Sequence, residues 1–538
     1  MLSQNQVAQV YVDIQGAGVA TYGDLTPLLE SQDLYTINYG LESVKILDGN
    51  GANEDKNFGY ITSNAVSISE IGHPNRKRIF VMPVTTLEAE HGKPTAWSSS
   101  IDALCADSTT EVLEQKNPRL FILAAGNLDK RINSLQFSYP TENEKQEVAN
   151  PAQAWNAISV GAITYKVKID EVSSYSPVAN LGELSPHSTT SVSDTWDSNM
   201  PLKPEIVFEG GNCGEDAFSK STLTSLSLLT TYYNFTDRLF SSFNATSAAS
   251  AMAANFAIKI LSKYPNIWPE TIRGLMVHSA EWNKALRYQF GSDLLEGNGE
   301  VLGSKTKEFA RRMRKRVGFG EPNLNNALNS FRSSAVVILE EEFQPYRKGK
   351  NSIGSNLLQV DLPWPKEEIQ NLLTLQVKLK VTLSYFIEPN PSGQAAGRYS
   401  YPSHQLKFDL KRANESAENF LARIDENTKN KMLESDRLIQ KVDHDKWFFG
   451  IDARSKGSIQ KDVWIGSATE LADRDVLVIF PTTGWWKTRT KLRRFNSKTR
   501  ISLIVSLEAL NPEIDIDLYT SIQNKVDSMV KVKASVVV

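Results

Sequence analysis

The sequence predicts an α/β chain: a parallel sheet flanked by helices, followed by a mostly antiparallel β-sandwich domain. Three observations predict it. Up to about residue 335, strand-sized apolar runs alternate with helical patterns, as strands and their covering helices do around a parallel sheet. Beyond Ser334 the apolar spacing changes to period two. The chain is also long enough, at 538 residues with 41% hydrophobic and 22% charged side chains, to bury a large core without disulfides or metals.

In the first part, 1–335, strands are expected at Ser43–Leu47, Arg78–Val84, Arg119–Ala125, Ala157–Ala162 and Pro204–Val207. Helices are expected at Gly59–Glu70, Trp97–Asp107, Ala248–Lys263, Pro269–Ala280 and Leu324–Ser330. The Pro269 helix carries proline in its first turn, where the missing N–H costs nothing. The second part, 336–538, opens with Val336–Leu339 and a polar stretch, Gln344–Asn356. Leu375–Ser384 then alternates apolar and polar residues strictly. Gln405–Leu410, Asp475–Phe480 and Ile501–Leu507 follow, with one helical segment at Glu415–Ile424.

Composition narrows the function. Fifty-nine basic against 62 acidic residues give a formal charge of -3, so neither a nucleic-acid nor an anionic-membrane partner is expected. The run Arg311–Arg316 reads as a solvated helical face, and Trp485–Trp486 as core or sheet-surface packing. Two cysteines, Cys105 and Cys213, make no disulfide scaffold and fit a reducing compartment. No apolar run approaches the ~20 residues of a membrane span. The first residues carry no secretory-signal pattern, so a cytoplasmic location is expected. N-glycosylation sequons stand at Asn234, Asn244 and Asn414, and a glycan on Asn244 would crowd Ser247. No metal-ligand spacing, P-loop or dinucleotide fingerprint occurs, so no metal or cofactor is expected.

The segment Asn244–Ala254 carries the chemistry. Ser247 precedes a run of tiny side chains that continues as a helix, and a helix N-terminus favours developing negative charge. Read alone, the segment is better taken as a serine N-cap on a buried alanine-rich helix. Leu120–Asn127 is a strand ending in a Gly-Asn turn, from which Asn127 can aim its amide at an oxyanion. Asn150-Pro151-Ala152, then Ala157–Ala162, then Lys203–Gly211 follow in order.

In this order AAGN, NPAQAWNAISVGA, KPEIVFEGG and ATSAASAMAA resemble the motifs of the subtilase family, and WPETIRGLMVHSA and VGFGEPNLNNAL match its closing segments. The resemblance spans about residues 17 to 335. It implies a subtilisin-like fold and a serine endopeptidase acting on a protein or peptide substrate. It also implies Ser247 as nucleophile, Asn127 in the oxyanion hole, and Val81, Met82, Ala125 and Gly126 along the substrate. Past residue 335 the chain is similar to the β-domain of a bacterial subset whose genes often neighbour an AAA-type ATPase, which implies such a partner.

The resemblance breaks at the base. The family orders its triad Asp, His, Ser, yet no histidine precedes His73. Counting back from Ala17-Gly18-Val19-Ala20 places Val12, Asp13 and Ile14 where His-Gly-Thr belongs, and the Asp strand before residue 1. An N-terminally incomplete or altered chain is therefore expected. The alternative is a catalytically dead pseudoprotease that binds peptides or regulates. His91 lies in a polar loop and His278 in an amphipathic helix. His73, His187, His404 and His444 lie in loop-like or β-domain contexts. Loss of the histidine from such a triad costs about 2 × 10⁶ in turnover. Ala245 replaces the family's glycine, which predicts a strained turn, and Pro83 removes an N–H from the substrate edge.

Overall fold

The computed structural model describes residues 15–535, except 32–33, 47–53, 87–89, 109–116, 129–131, 133–136, 172–173, 297–298, 302, 331–333, 392–399, 425–444, 483 and 511–516. The chain divides into two compact units. One comprises Met1–Ala327 with Phe386–Tyr401, the other Leu328–Tyr385 with Pro402–Val538.

The first unit is built on four strands, β1 (Ile79–Met82), β2 (Leu120–Ala124), β3 (Ile158–Ile163) and β4 (Ile206–Glu209). They lie in the order β1-β2-β3-β4, all parallel, with Val81 opposite Ile122, Ile122 opposite Ile158 and Val160 opposite Ile206. Every residue of β2 and β3 is buried. Their unbroken apolar runs are what a parallel strand covered on both faces requires. Pro83 lacks an N–H and follows directly on the last residue of β1.

Seven helices matter for the site: α1 (residues 15–22), α2 (Leu25–Glu30), α3 (Phe58–Gly72), α4 (Ala96–Ala106), α5 (Ala245–Lys263), α6 (Pro269–Ser279) and α7 (Thr306–Val317). The helix α5 packs across all four strands. It presents Ala248, Ala249, Ala253 and Ala257 inward, fully buried, and alanine lets a helix axis approach a sheet closely. A capping box at Thr95 and Ser98 starts α4. One core cluster joins Trp97, Ile101, Phe121, Leu123, Val148 and Phe386.

Several expectations need correction. Residues 43–46 form no strand and are exposed or half-buried, and Leu47 lies outside the described residues. Among the described residues β1 pairs only with β2, so no neighbouring strand organises 43–46. The α6 helix is not amphipathic: every residue from Glu270 to Ser279 is buried, His278 included. The basic run is not simply a solvated face. It rides on α7, where Arg311 is exposed but Arg314 is buried with its guanidinium 3.5 Å from the Phe319 ring centroid.

The second unit carries two main antiparallel sheets. The first uses β5 (Ser334–Phe343), β7 (Gln376–Tyr385), β9 (Ile459–Ser467) and β11 (Thr499–Ala509), in the order β5-β11-β7-β9. The second uses β6 (Leu358–Asp361), β8 (Leu406–Leu410) and β10 (Val476–Pro481), in the order β6-β10-β8. Although apolar and polar residues alternate strictly along β7, Lys380, Thr382 and Ser384 are buried as well. The strand β9 was hidden in the sequence by Lys461 and Asp462. Asp462 is buried and accepts from Phe449 N–H, Gly450 N–H and the Arg454 guanidinium. Trp485 and Trp486 pack with Tyr346 and Phe495 as core. Among the described residues no helix is long and apolar enough to cross a membrane.

Candidate active site

Parallel strands bring their C-terminal ends to one side of a sheet, and loops there gather functional groups. Here β2 runs into Ala125-Gly126-Asn127, β1 into Pro83, and β4 into Gly210-Gly211. The start of α5 meets all three. Ala245 N–H donates to the Gly210 carbonyl, Gly126 N–H to Thr246 Oγ1 (3.2 Å), and Ser247 Oγ to the Pro83 carbonyl (3.2 Å).

Two glycines are required by this convergence. Gly126 has φ 106°, and a Cβ there would sit 2.6 Å from the Cβ of Ala149. A Cβ on Gly210 would lie 2.5 Å from the Cβ of Ala162 and 2.8 Å from the Ala245 carbonyl oxygen. Ala245 itself adopts φ 66°, the left-handed region that a Cβ penalises. The strained turn expected from its substitution is present.

Asn127 and Ser247 are half-buried amid buried neighbours. The Asn127 side-chain oxygen accepts from Thr246 N–H (2.9 Å) and from Thr246 Oγ1 (2.6 Å). That arrangement commits Oδ1 inward. It leaves Nδ2 without a hydrogen-bond partner among the described residues, as a donor held ready for an oxyanion must be.

The remaining candidates differ in what they offer. Val81 and Met82 lie on β1, whose second edge has no ladder partner among the described residues. Ala125 is fully buried, its N–H donating to Val160 and its carbonyl accepting from Ala149 N–H and Thr189 Oγ1. Gly126 has its N–H committed to Thr246 and its carbonyl accepting from Thr189. The open backbone edge is thus on β1. Val12, Asp13 and Ile14 lie outside the described residues.

None of the described histidines is among the hydrogen-bond partners of Ser247. His91 Nδ1 sits 3.2 Å from Glu147 Oε2, while Glu147, almost fully buried, also accepts from His91 N–H and Thr195 Oγ1. His73 ends α3, exposed. His187 is buried with its Nε2 3.6 Å from Cys213 Sγ. Burial pushes the His187 imidazole down to about 4 and the Cys213 thiol up to about 12, so the pair is neutral rather than an activated thiolate. That pair was not legible in the sequence, because its members lie 26 positions apart. His404 belongs to the second unit, and His444 lies outside the described residues. Among the described residues no three His, Cys, Asp or Glu side chains cluster to hold a metal.

The description "subtilase family" belongs to the family model that matches residues 15–320. A curated relative, the uncharacterized protein y4bN of Sinorhizobium fredii (strain NBRC 101917 / NGR234), is 25% identical over 228 residues. The match covers 38% of this chain and 46% of that protein, so the chain spans about half the length of the curated relative it matches. Among solved structures, Sphericase is 16% identical with a TM-score of 0.28, covering 43% of this chain and 57% of its own. A lanthipeptide protease is 18% identical with a TM-score of 0.28, covering 53% of this chain and 68% of its own.

Proposed function

The chain belongs to the subtilase family, whose members are serine-type proteases, and on that premise we propose that Ser247 and Asn127 form the nucleophile and oxyanion half of an endopeptidase site. The observation that carries this reading is the double acceptance by Asn127 Oδ1 from Thr246, which holds Nδ2 uncommitted next to the start of α5. An extended peptide lying along β1 would present its carbonyl to Ser247 Oγ. Attack makes a tetrahedral oxyanion, which Asn127 Nδ2 and the Ser247 N–H stabilise. The α5 N-terminus adds its dipole to the same charge.

The hydroxyl proton must go to a base for this attack to proceed. In the structure Ser247 donates it to the Pro83 carbonyl, which accepts a hydrogen bond but not the proton. That contact favours a second reading, in which the site binds peptides without hydrolysing them.

A fluorophosphonate probe separates the two. Labelling at Ser247 that is lost in Ser247→Ala and slowed by about 10²–10³ in Asn127→Leu supports the endopeptidase. An unreactive Ser247, in protein that still binds unfolded polypeptide, supports the peptide-binding module and overturns the first reading.

A further inference from the structure

We propose that residues 386–391 and 400–401 form a positioning element for the Ser247 site, acting through Asp102 and Asn156 on the wall that supports Gly126 and Asn127. The inference rests on the site reading given above. The chain leaves the second unit after Tyr385, contributes Phe386–Tyr401 to the first, and returns to the second at Pro402. The described ends of this excursion are pinned together, Asn390 N–H donating to the Tyr401 carbonyl (2.8 Å) and Asn390 Nδ2 to the Ser400 carbonyl (3.1 Å).

Two buried ties join it to the sheet unit. Asn156 grips Ile387 with both ends of its side-chain amide: Nδ2 donates to the Ile387 carbonyl at 2.7 Å and also to the Asp102 carbonyl at 2.9 Å, and Oδ1 accepts the Ile387 N–H at 2.9 Å. The Tyr401 hydroxyl donates to Asp102 Oδ2 at 2.6 Å. Asp102, on α4, also accepts from Asn156 N–H (2.7 Å) and Trp155 N–H (3.1 Å). Asp102 and Asn156 are fully buried and Tyr401 is 1% exposed, so none of these bonds competes with bulk water. Phe386 joins the core cluster, and the Arg273 guanidinium lies 5.5 Å from its ring centroid while donating to the Trp155 carbonyl.

From Trp155 the wall runs back to the oxyanion turn in short steps. Ala154 N–H donates to Pro151, Ala152 N–H to Ala149, and Ala149 N–H to Ala125, each bond 2.8–3.0 Å. Ala149 is the residue against which Gly126 is packed so closely that no Cβ fits. The path from Tyr401 to Asn127 is therefore continuous in hydrogen bonds and van der Waals contact. A residue without such a path would support the unit only globally.

The test uses the full chain carrying Tyr401→Phe, which removes the hydroxyl and keeps the ring, and in parallel Asn156→Ser, which cuts the tie to Ile387. Amide hydrogen exchange is read by mass spectrometry. The expected result is exchange in 147–157 and 125–127 about tenfold faster, the effect of about one net hydrogen bond. Strands β3, β7 and β11 remain unchanged. Unchanged exchange at 147–157, or a uniform rise across β2, β3 and α5, would overturn the proposal, the latter by showing merely global support. The readout needs no turnover. An inert Ser247 with the expected exchange pattern sinks the endopeptidase reading alone, and a reactive Ser247 with unchanged exchange sinks this one alone.

Discussion

Thr246 donates twice to the same atom of Asn127, through its backbone N–H and through its hydroxyl. The hydroxyl oxygen at the same time accepts from Gly126 N–H. One buried side chain thus fixes the turn that carries Asn127 to the helix that carries Ser247. Replacing it by an isosteric Val strands the buried Gly126 N–H and leaves Asn127 Oδ1 with the backbone N–H of residue 246 in place of two donors. Thr246→Val is expected to destabilise the first unit by about 1–3 kcal/mol. Thr246→Ser, which keeps the hydroxyl, should cost clearly less. Urea unfolding of both variants checks the magnitude, and amide exchange at Gly126 checks the location. Equal losses in Val and Ser would mean that packing, not the hydroxyl, sets the cost.

Ala245 carries the strain next door. Its φ of 66° is held by its N–H to the Gly210 carbonyl and by the helix that starts there. An alanine in the left-handed region costs roughly 1–2 kcal/mol. Glycine removes that cost but loses about 0.5–1 kcal/mol in unfolded-state entropy. Ala245→Gly should therefore stabilise by about 0.5–1 kcal/mol, by difference of those two terms. Urea unfolding reads it directly, and a variant no more stable than the parent would show that the turn is not strained.

The parallel sheet was legible because β2 and β3 are unbroken apolar runs between turn residues, a signal that needs no tertiary context. The helix α5 was legible from its alanines, and the strain at Ala245 from the resemblance, which has a glycine at that position. Other features depend on distant partners. Val44 and Ile46 look like strand residues, but pairing decides a strand, and among the described residues β1 takes β2 as its ladder partner and 43–46 form no strand. Arg314 looks solvated until Phe319 is placed beneath it. Nothing local marks Asp102 as the acceptor of a tyrosine 299 positions away. Nothing in Asn127 alone reveals which amide atom faces Thr246, since only the fold supplies the two donors. The commitment of Ser247 to the Pro83 carbonyl is equally invisible in sequence.

Asp102 links the structure to pH. Burial, opposed by the Tyr401 hydroxyl, the Asn156 and Trp155 N–H groups and the charge of Lys203, raises its carboxyl to about 6. The folded state then holds this proton more tightly than the unfolded chain, where the carboxyl titrates near 3.8. By linkage its contribution is fully present below about pH 4 and is lost as pH rises through about 6, a change on the order of 2–3 kcal/mol. Asp102→Asn cannot titrate, so the stability difference between parent and variant should drift across pH 4–6 and be flat above 7. Urea midpoints at half-unit pH intervals measure it. A constant difference across the range would show that Asp102 keeps the same proton occupancy in both states.

Arg314 tests how a buried charge is carried. It is 3% exposed, its Nη1 has no hydrogen-bond partner among the described residues, and its guanidinium stacks 3.5 Å from the Phe319 ring centroid. Burial lowers its pKa to about 10 against the pull of Glu205, which is the signature of a charge poorly repaid for its desolvation. The ring contact at this desolvated site returns about 2 kcal/mol or more, set against a desolvation cost of several kcal/mol. A methionine fills similar length, keeps a sulfur–aromatic contact of about 0.3–1.5 kcal/mol, and brings no charge. Arg314→Met is therefore expected to be neutral or stabilising by about 1 kcal/mol. Arg314→Ala, which also empties space beside Phe319, should destabilise by about 2 kcal/mol or more. Urea unfolding of the two variants side by side decides the matter. If Met proves as damaging as Ala, then the cation itself, balanced against Glu205, holds α7 in place, and the volume of the side chain is secondary.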